Sequence, residues 1–204
     1  MSLSERQIEI WSRQIILPEL GGRGQERLLA SRVRLLGTDL AAATAATYLA
    51  GAGICTLEIE PALLEAPPFA SLGDRVPGTR ILTRPEDATI DLLLCSAEVV
   101  PLPVARLGTL LIDQDQEGTT SLLLLPRGAA ACPQCVRRPA PADHSDVAAA
   151  SMAGSLAALV ATRWLAEIEQ EKESRRWVLT PGAACWEYAD VAQKKPCPAT
   201  HHAP

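Results

Sequence analysis

The sequence predicts an α/β fold built on a mainly parallel sheet. Three consecutive segments carry that reading. Arg32-Val-Arg-Leu-Leu-Gly37 is an apolar run ended by glycine, as a buried strand is. Leu40 to Ala52 is rich in alanine, long enough for a helix, and is ended by Gly53. Cys55 to Glu60 has the length and alternation of a second strand. Strand, helix and strand in that order make a βαβ unit, which implies a right-handed crossover between parallel neighbours.

The other elements follow in chain order. Ser4-Glu-Arg-Gln7 fits a capping box, with a hydroxyl at the cap and a glutamine three residues later, so a short helix opens there. Pro18 and the glycines Gly21, Gly22 and Gly24 force a turn, and Gln25 to Ser31 reads as a second short helix. The stretch from Pro61 to Pro77, with Pro67, Pro68 and Gly73 inside it, reads as a loop. Strands are expected at Arg80 to Thr83, Ile90 to Cys95 and Thr109 to Asp113, and Thr119 to Leu125 suits an antiparallel strand after the Gly118 turn. Val147 to Gln170 reads as one long helix. Trp177 to Thr180 and Ala183 to Asp190 read as closing strands.

Composition narrows the function. The 204 residues are 48% hydrophobic and 21% charged, which excludes disorder and suits one sizeable domain. A net charge of -5 argues against a nucleic-acid partner. With aromatics at 3%, the core must come from Leu, Ala, Val and Ile, and a base-stacking platform is disfavoured. The uncharged stretch Val147 to Thr162 falls short of the ~20 residues a bilayer span needs, so no membrane role is expected. Met1-Ser-Leu-Ser-Glu-Arg-Gln7 has no apolar signal region, and a cytoplasmic location is the expectation. In that compartment the six cysteines point to a metal site or reduced thiols before a disulfide framework.

Trp11-Ser-Arg-Gln-Ile-Ile-Leu-Pro-Glu-Leu-Gly21, then Gly24-Gln-Glu-Arg-Leu-Leu-Ala-Ser-Arg-Val33, resembles the opening of the ThiF/MoeB/HesA family, the bacterial relatives of ubiquitin-activating enzymes. The likeness runs on through Tyr48-Leu-Ala-Gly-Ala-Gly53 and resumes at Cys132-Pro-Gln-Cys135, the long helix and the Cys197 tail. It implies a Rossmann-like sheet and one domain over 1–204: a helical arm at 1–31, the core at 32–128, and a zinc knuckle, long helix and strands at 129–204. It also implies ATP- and magnesium-dependent adenylation of the C-terminal Gly-Gly of a ubiquitin-like sulfur carrier, by a dimer.

The expected nucleotide site departs from that pattern. The family's G-x-G-G-x-G turn lets backbone amides approach phosphates at a helix N-terminus. The same positions here read Gly37-Thr38-Asp39-Leu40-Ala41-Ala42, so only Gly37 remains. Asp39 adds a side chain and a negative charge, and also suits the N-cap of the next helix. The family's ribose-binding acid falls at Pro61, leaving Glu60 to act from a shifted register. No motif between Pro61 and Thr83 matches the phosphate-binding bases, and Arg75 and Arg80 read as solvated. Where the family has a Cys-Thr-Asp-Asn motif, Cys95-Ser96-Ala97-Glu98 offers magnesium only Glu98, one position late. ATP and magnesium binding are therefore disfavoured, because this chemistry rests on positioning and charge neutralisation.

Two features match the family. By the resemblance, Arg13 would reach into a neighbouring subunit's ATP site as an arginine finger; alternatively it packs the arm against Glu9 or an interface carboxylate. Cys132 and Cys135 have zinc-knuckle spacing. The second pair reads Cys197-Pro-Ala-Thr200-His201-His202, so a structural zinc would take Cys132, Cys135, Cys197 and His201, with His202 as substitute. Otherwise the knuckle is an apo remnant or a disulfide. Cys55, Cys95 and Cys185 read as buried, inert thiols. His144 reads as an exposed side chain.

The functional expectation is a degenerate, non-adenylating homologue. It would act as a homodimer, or as a heterodimer with an intact relative, in activating a sulfur carrier. The alternatives are an active adenylyltransferase using Glu60 and Glu98, and a zinc-stabilised homodimeric scaffold.

Overall fold

The computed structural model describes residues 3–65, 78–96, 102–114, 119–128, 132–136, 147–169, 172–180, 185–189 and 191, with the backbone alone at 134 and 135. The arm holds α1 (Glu5–Ile15) and α2 (Gly21–Leu28). The βαβ unit is β1 (Arg32–Leu36), α3 (Leu40–Gly51) and β2 (Thr56–Glu58), followed by α4 (Pro61–Glu65) and β3 (Arg80–Leu82). Then come β4 (Leu92–Cys95), β5 (Gly108–Gln114), β6 (Thr120–Pro126), α5 (Pro133–Val136), α6 (Val147–Leu165), β7 (Arg175–Leu179) and β8 (Glu187–Ala189).

Local chemistry sets several boundaries. Ser4 and Gln7 form the full reciprocal capping box on α1. The segment read as a loop after β2 begins instead with α4, because Pro61 takes the first helical position, where a missing N–H costs nothing. The second helix starts at Gly21, four residues before the expectation. The long helix stops at Leu165, and Glu167 turns the chain at φ 58. Residues 66–77, most of the expected loop, lie outside the described residues.

The strands form one eight-stranded sheet in the order β3-β2-β1-β4-β5-β6-β7-β8. β3, β2, β1, β4 and β5 pair in parallel. β6, β7 and β8 extend the sheet antiparallel, as expected after β5. All of β4, β5 and β6 is buried on both faces. On one face Val33, Leu35, Leu57, Leu92 and Leu110 join the core beneath α3 and α6. On the other, Leu93 packs with Ile90 and Ala105, while Cys95, Leu111 and Leu123 pack with Val136.

α6 passes the length and composition of a membrane span, yet Ala153, Ala157 and Ala161 are wholly buried in that core. Its contact with α3 is close because both helices present small residues. A Cβ on Gly154 would lie 2.3 Å from the Ala41 carbonyl oxygen.

By strand alternation, Arg32 and Arg34 face away from α3 and α6, and an ion cluster replaces apolar packing there. Arg32 Nε donates to Glu58 Oε1 at 2.5 Å, and Arg34 Nε to Glu58 Oε2 at 2.5 Å. Glu86 accepts from Arg32 at 3.1 Å and also pairs with Arg80. The Arg32 hydrogen bond, aided by the Arg80 charge, holds the Glu86 carboxyl below its ordinary value. A carboxylate whose pKa is lower folded than unfolded stabilises the fold above its unfolded value of about 4.3, and that contribution disappears as pH falls through the folded value. Urea midpoints of the protein and of Glu86→Gln should therefore differ at neutral pH and converge below pH ~4. A constant difference down to pH ~3 removes the linkage.

Candidate functional site

In an open parallel sheet, ligands bind outside the strands' carboxyl ends, where the strand order reverses. Here that point lies between β1 and β4, because the chain runs from β1 to β2 and β3 on one side and returns to β4 on the other. Gly37 and Asp39 follow β1, Glu60 follows β2, and Ser96 follows β4. Asp113 and Gln114 end β5.

The turn is held by two carboxylates of the chain itself. Gly37 sits at φ +133, a region that only glycine enters freely, and its N–H donates to Glu60 Oε1 at 2.8 Å. Asp39 caps α3, its Oδ1 accepting from the Ala42 N–H at 2.8 Å. Of the two sequence readings of Asp39, the cap is therefore present. Glu60 faces Gly37, and Pro61 contributes only a helix start. Beside Asp39 lies a cavity of about 10 Å³ lined by Ala41, Ser96, Asp113, Gln114 and Thr120, room for one water-sized molecule. Ser96 Oγ, in a residue 4% exposed, has no hydrogen-bond partner among the described residues. Asp113, 1% exposed, is a site residue that sequence reading missed; its signal is an acid directly after the apolar run Leu110-Leu-Ile112.

The structure keeps Arg13 away from this turn. Gln14 Nε2 donates to the Gly51 carbonyl at 3.3 Å, and Trp11 packs on Gly53, so α1 is fixed to the far end of α3. The twelve residues of α3 span ~18 Å. Arg13 is exposed and makes no hydrogen bond or ion pair, with Glu9 or any other side chain, among the described residues. Near it, a groove of about 730 Å³ runs between α1, α3 and α6, lined by Leu17, Tyr48 and Leu159 among others. Tyr48 is 58% exposed and Leu159 57%.

The zinc expectation is overturned: among the described residues, no three His, Cys, Asp or Glu side chains come together to hold a metal. The physical reason is convergence. CxxC spacing brings two thiols near each other, but a tetrahedral site needs further ligands from elsewhere. Cys132 is buried at the start of α5, and Cys197, His201 and His202 lie outside the described residues, as do Ala97, Glu98 and His144. Cys95 is buried as expected, whereas Cys55 is half-buried and Cys185 is exposed.

No protein-family model matches the chain. It is 42% identical over 59 residues to the SAMP-activating enzyme E1 of Haloferax volcanii, covering 29% of this chain and 22% of that one. It is 45% identical over 53 residues to the adenylyltransferase and sulfurtransferase MOCS3 of Bos taurus, covering 26% and 12%. These matches thus span under a quarter of each relative's length. By structure it is similar to E. coli MccB, with a TM-score of 0.67 at 12% identity over 95% of this chain and 72% of that one. It is similar to PaaA with a TM-score of 0.67 at 15% identity, over 93% and 75%.

Fold and switch point thus define a Rossmann-like α/β protein in which side chains of the chain itself bond the amides at the switch-point turn. Over part of its length, the chain resembles the ThiF/MoeB-like, E1-like adenylyltransferase family.

Proposed function

We propose that this chain is a non-adenylating member of the E1-like group, serving as a partner or carrier-binding subunit in the activation of a ubiquitin-like sulfur carrier. The observation that carries the reading is the Asp39 carboxylate on the Ala42 N–H, where phosphates approach in this fold class. A triphosphate entering there would meet Asp39, Glu60 and buried Asp113. The active-enzyme reading asks Glu60 to bind a ribose, but that carboxylate already accepts from Gly37. The partner role draws support from exposed Arg13 and from the apolar groove beside it, a larger apolar surface than scattered single side chains make. In a pair with an intact homologue, Arg13 would act on the partner's nucleotide. Losing such a preorganised charge donor costs ~3 kcal/mol, about a hundredfold in rate.

Calorimetry with ATP and magnesium tests the central claim. The expected result is no binding in the micromolar range, about -8 kcal/mol. Micromolar affinity returns the chain to the active adenylyltransferases.

A further inference from the structure

We infer that the small cavity beside Asp39 is a binding site for one dehydrated monovalent cation, sodium or potassium. Five side chains that carry oxygen wall it: Asp39, Ser96, Asp113, Gln114 and Thr120. Carboxylate, hydroxyl and amide oxygens are the donors that hard cations take. No Lys, Arg or His stands among the described lining residues. Asp39 uses one lone pair on the Ala42 N–H, and an ionised carboxylate has about four. Ser96, Asp113, Gln114 and Thr120 are all buried, so an ion there would exchange its water shell for protein oxygens. The site is independent of the non-adenylating reading above.

Ser96 supplies the second observation. It lines the same cavity, and its Oγ is buried with no partner among the described residues. A buried hydroxyl left that way is costly, and a cation in the cavity gives its oxygen a partner. Charge decides the valence. Ala41 and Ala150, in the first turns of α3 and α6, also line the cavity, so two helix N-termini face it. Each carries roughly +0.5 of an elementary charge, and together they offset one of the two carboxylates. The negative charge that remains is cancelled by a monovalent ion and reversed by a divalent one. Size agrees. Magnesium keeps several of its waters, whereas about 10 Å³ holds one water-sized body. No third Asp, Glu, His or Cys joins the pair among the described residues, which leaves a divalent ion short of ligands. The bound ion would tie the starts of α3 and α6 to the carboxyl ends of β4 and β5.

The test is thermal unfolding of the natural protein, Ser96→Ala and Asp113→Asn in choline, sodium or potassium chloride, at a constant ionic strength of about 0.15 M. The natural protein should melt about 3 °C higher in sodium or potassium chloride than in choline chloride, and the rise should saturate with the ion. The larger of the two rises names the ion. The effect of Ser96→Ala should depend on the salt. In choline chloride it removes a buried hydroxyl that has no ion to meet, so stability stays level or improves. In the sodium or potassium salt it removes a ligand, and most of the rise disappears. Asp113→Asn keeps the shape and removes one charge, so it should lose the rise as well. Where Asp113→Asn does not fold, Ser96→Ala decides the matter alone. Equal melting in all three salts means that the cavity holds water, and overturns the inference. A rise that survives both substitutions comes from the surface and overturns it too. An equal, saturable rise with magnesium chloride overturns the monovalent assignment. Each of these failures leaves the non-adenylating reading to its own ATP measurement.

Discussion

Gly154→Ala is expected to destabilise this protein severely, although the change favours a helix locally. Alanine in a helix interior is better than glycine by about 1 kcal/mol. The new methyl would stand 2.3 Å from the Ala41 carbonyl oxygen and 2.8 Å from Thr44 Cβ. Neither is the movable end of a flexible side chain, so α6 and α3 must separate. Ala41, Ala45, Ala153 and Ala157 lie in the same buried core and cannot fill the gap that opens. Overpacking of this kind costs typically 1–3 kcal/mol and more where backbone must move, so a net loss of ~3 kcal/mol is expected. Gly51→Ala is the control, because a Cβ there meets nothing within 4 Å. It should be neutral or stabilising by up to about 1 kcal/mol. Urea denaturation of both variants decides the matter. A Gly154→Ala protein as stable as the natural one means that the two helices are not in this contact.

The second large effect is expected at Glu58. Its side chain is 2% exposed, and its two oxygens take one arginine each, Arg32 and Arg34, whose side chains are 14% and 16% exposed. Replacing Glu58 with Gln leaves Arg34 without its carboxylate on a half-closed sheet face and Arg32 with Glu86 alone. Breaking a buried pair by removing one partner costs about 3–5 kcal/mol. Glu86 still holds Arg32, so the lower end of that range is expected. A triple variant with Glu58, Arg32 and Arg34 all replaced by Leu or Met should recover much of the loss, because an apolar set of similar volume removes the desolvation cost. A Glu58→Gln protein within ~1 kcal/mol of the natural one shows that solvent screens the cluster like an ordinary surface pair.

The readings that proved right from sequence were short-range ones. The Ser4–Gln7 box and the Asp39 cap each close within three residues, so residue type and spacing specify them. The βαβ order was legible because a buried strand, a small-residue helix and an alternating strand have different periods. The antiparallel pairing of β6 with β5 was legible from two apolar runs in succession, whereas Gly118, read as the turn between them, lies outside the described residues. The zinc reading failed because spacing counts potential ligands and cannot show that they meet.

What the tertiary structure alone decided depends on partners distant in the chain. Nothing local tells Glu60 to turn back to Gly37, 23 residues earlier. That bond requires β1 and β2 to be parallel neighbours, which places both carboxyl ends at one edge. Nothing local gives Arg32 and Arg34 a partner; the parallel register sets Arg34 beside Glu58. Nothing local marks Gly154 as a contact point; the Ala41 carbonyl 113 residues earlier makes it one, at 2.3 Å from where a Cβ would stand. The sequence by itself determined the class of sheet, the capped helices and the loss of the glycine turn, because these follow from neighbours along the chain. Which carboxylate meets the Gly37 amide was decided only when strand order brought remote segments within hydrogen-bonding distance.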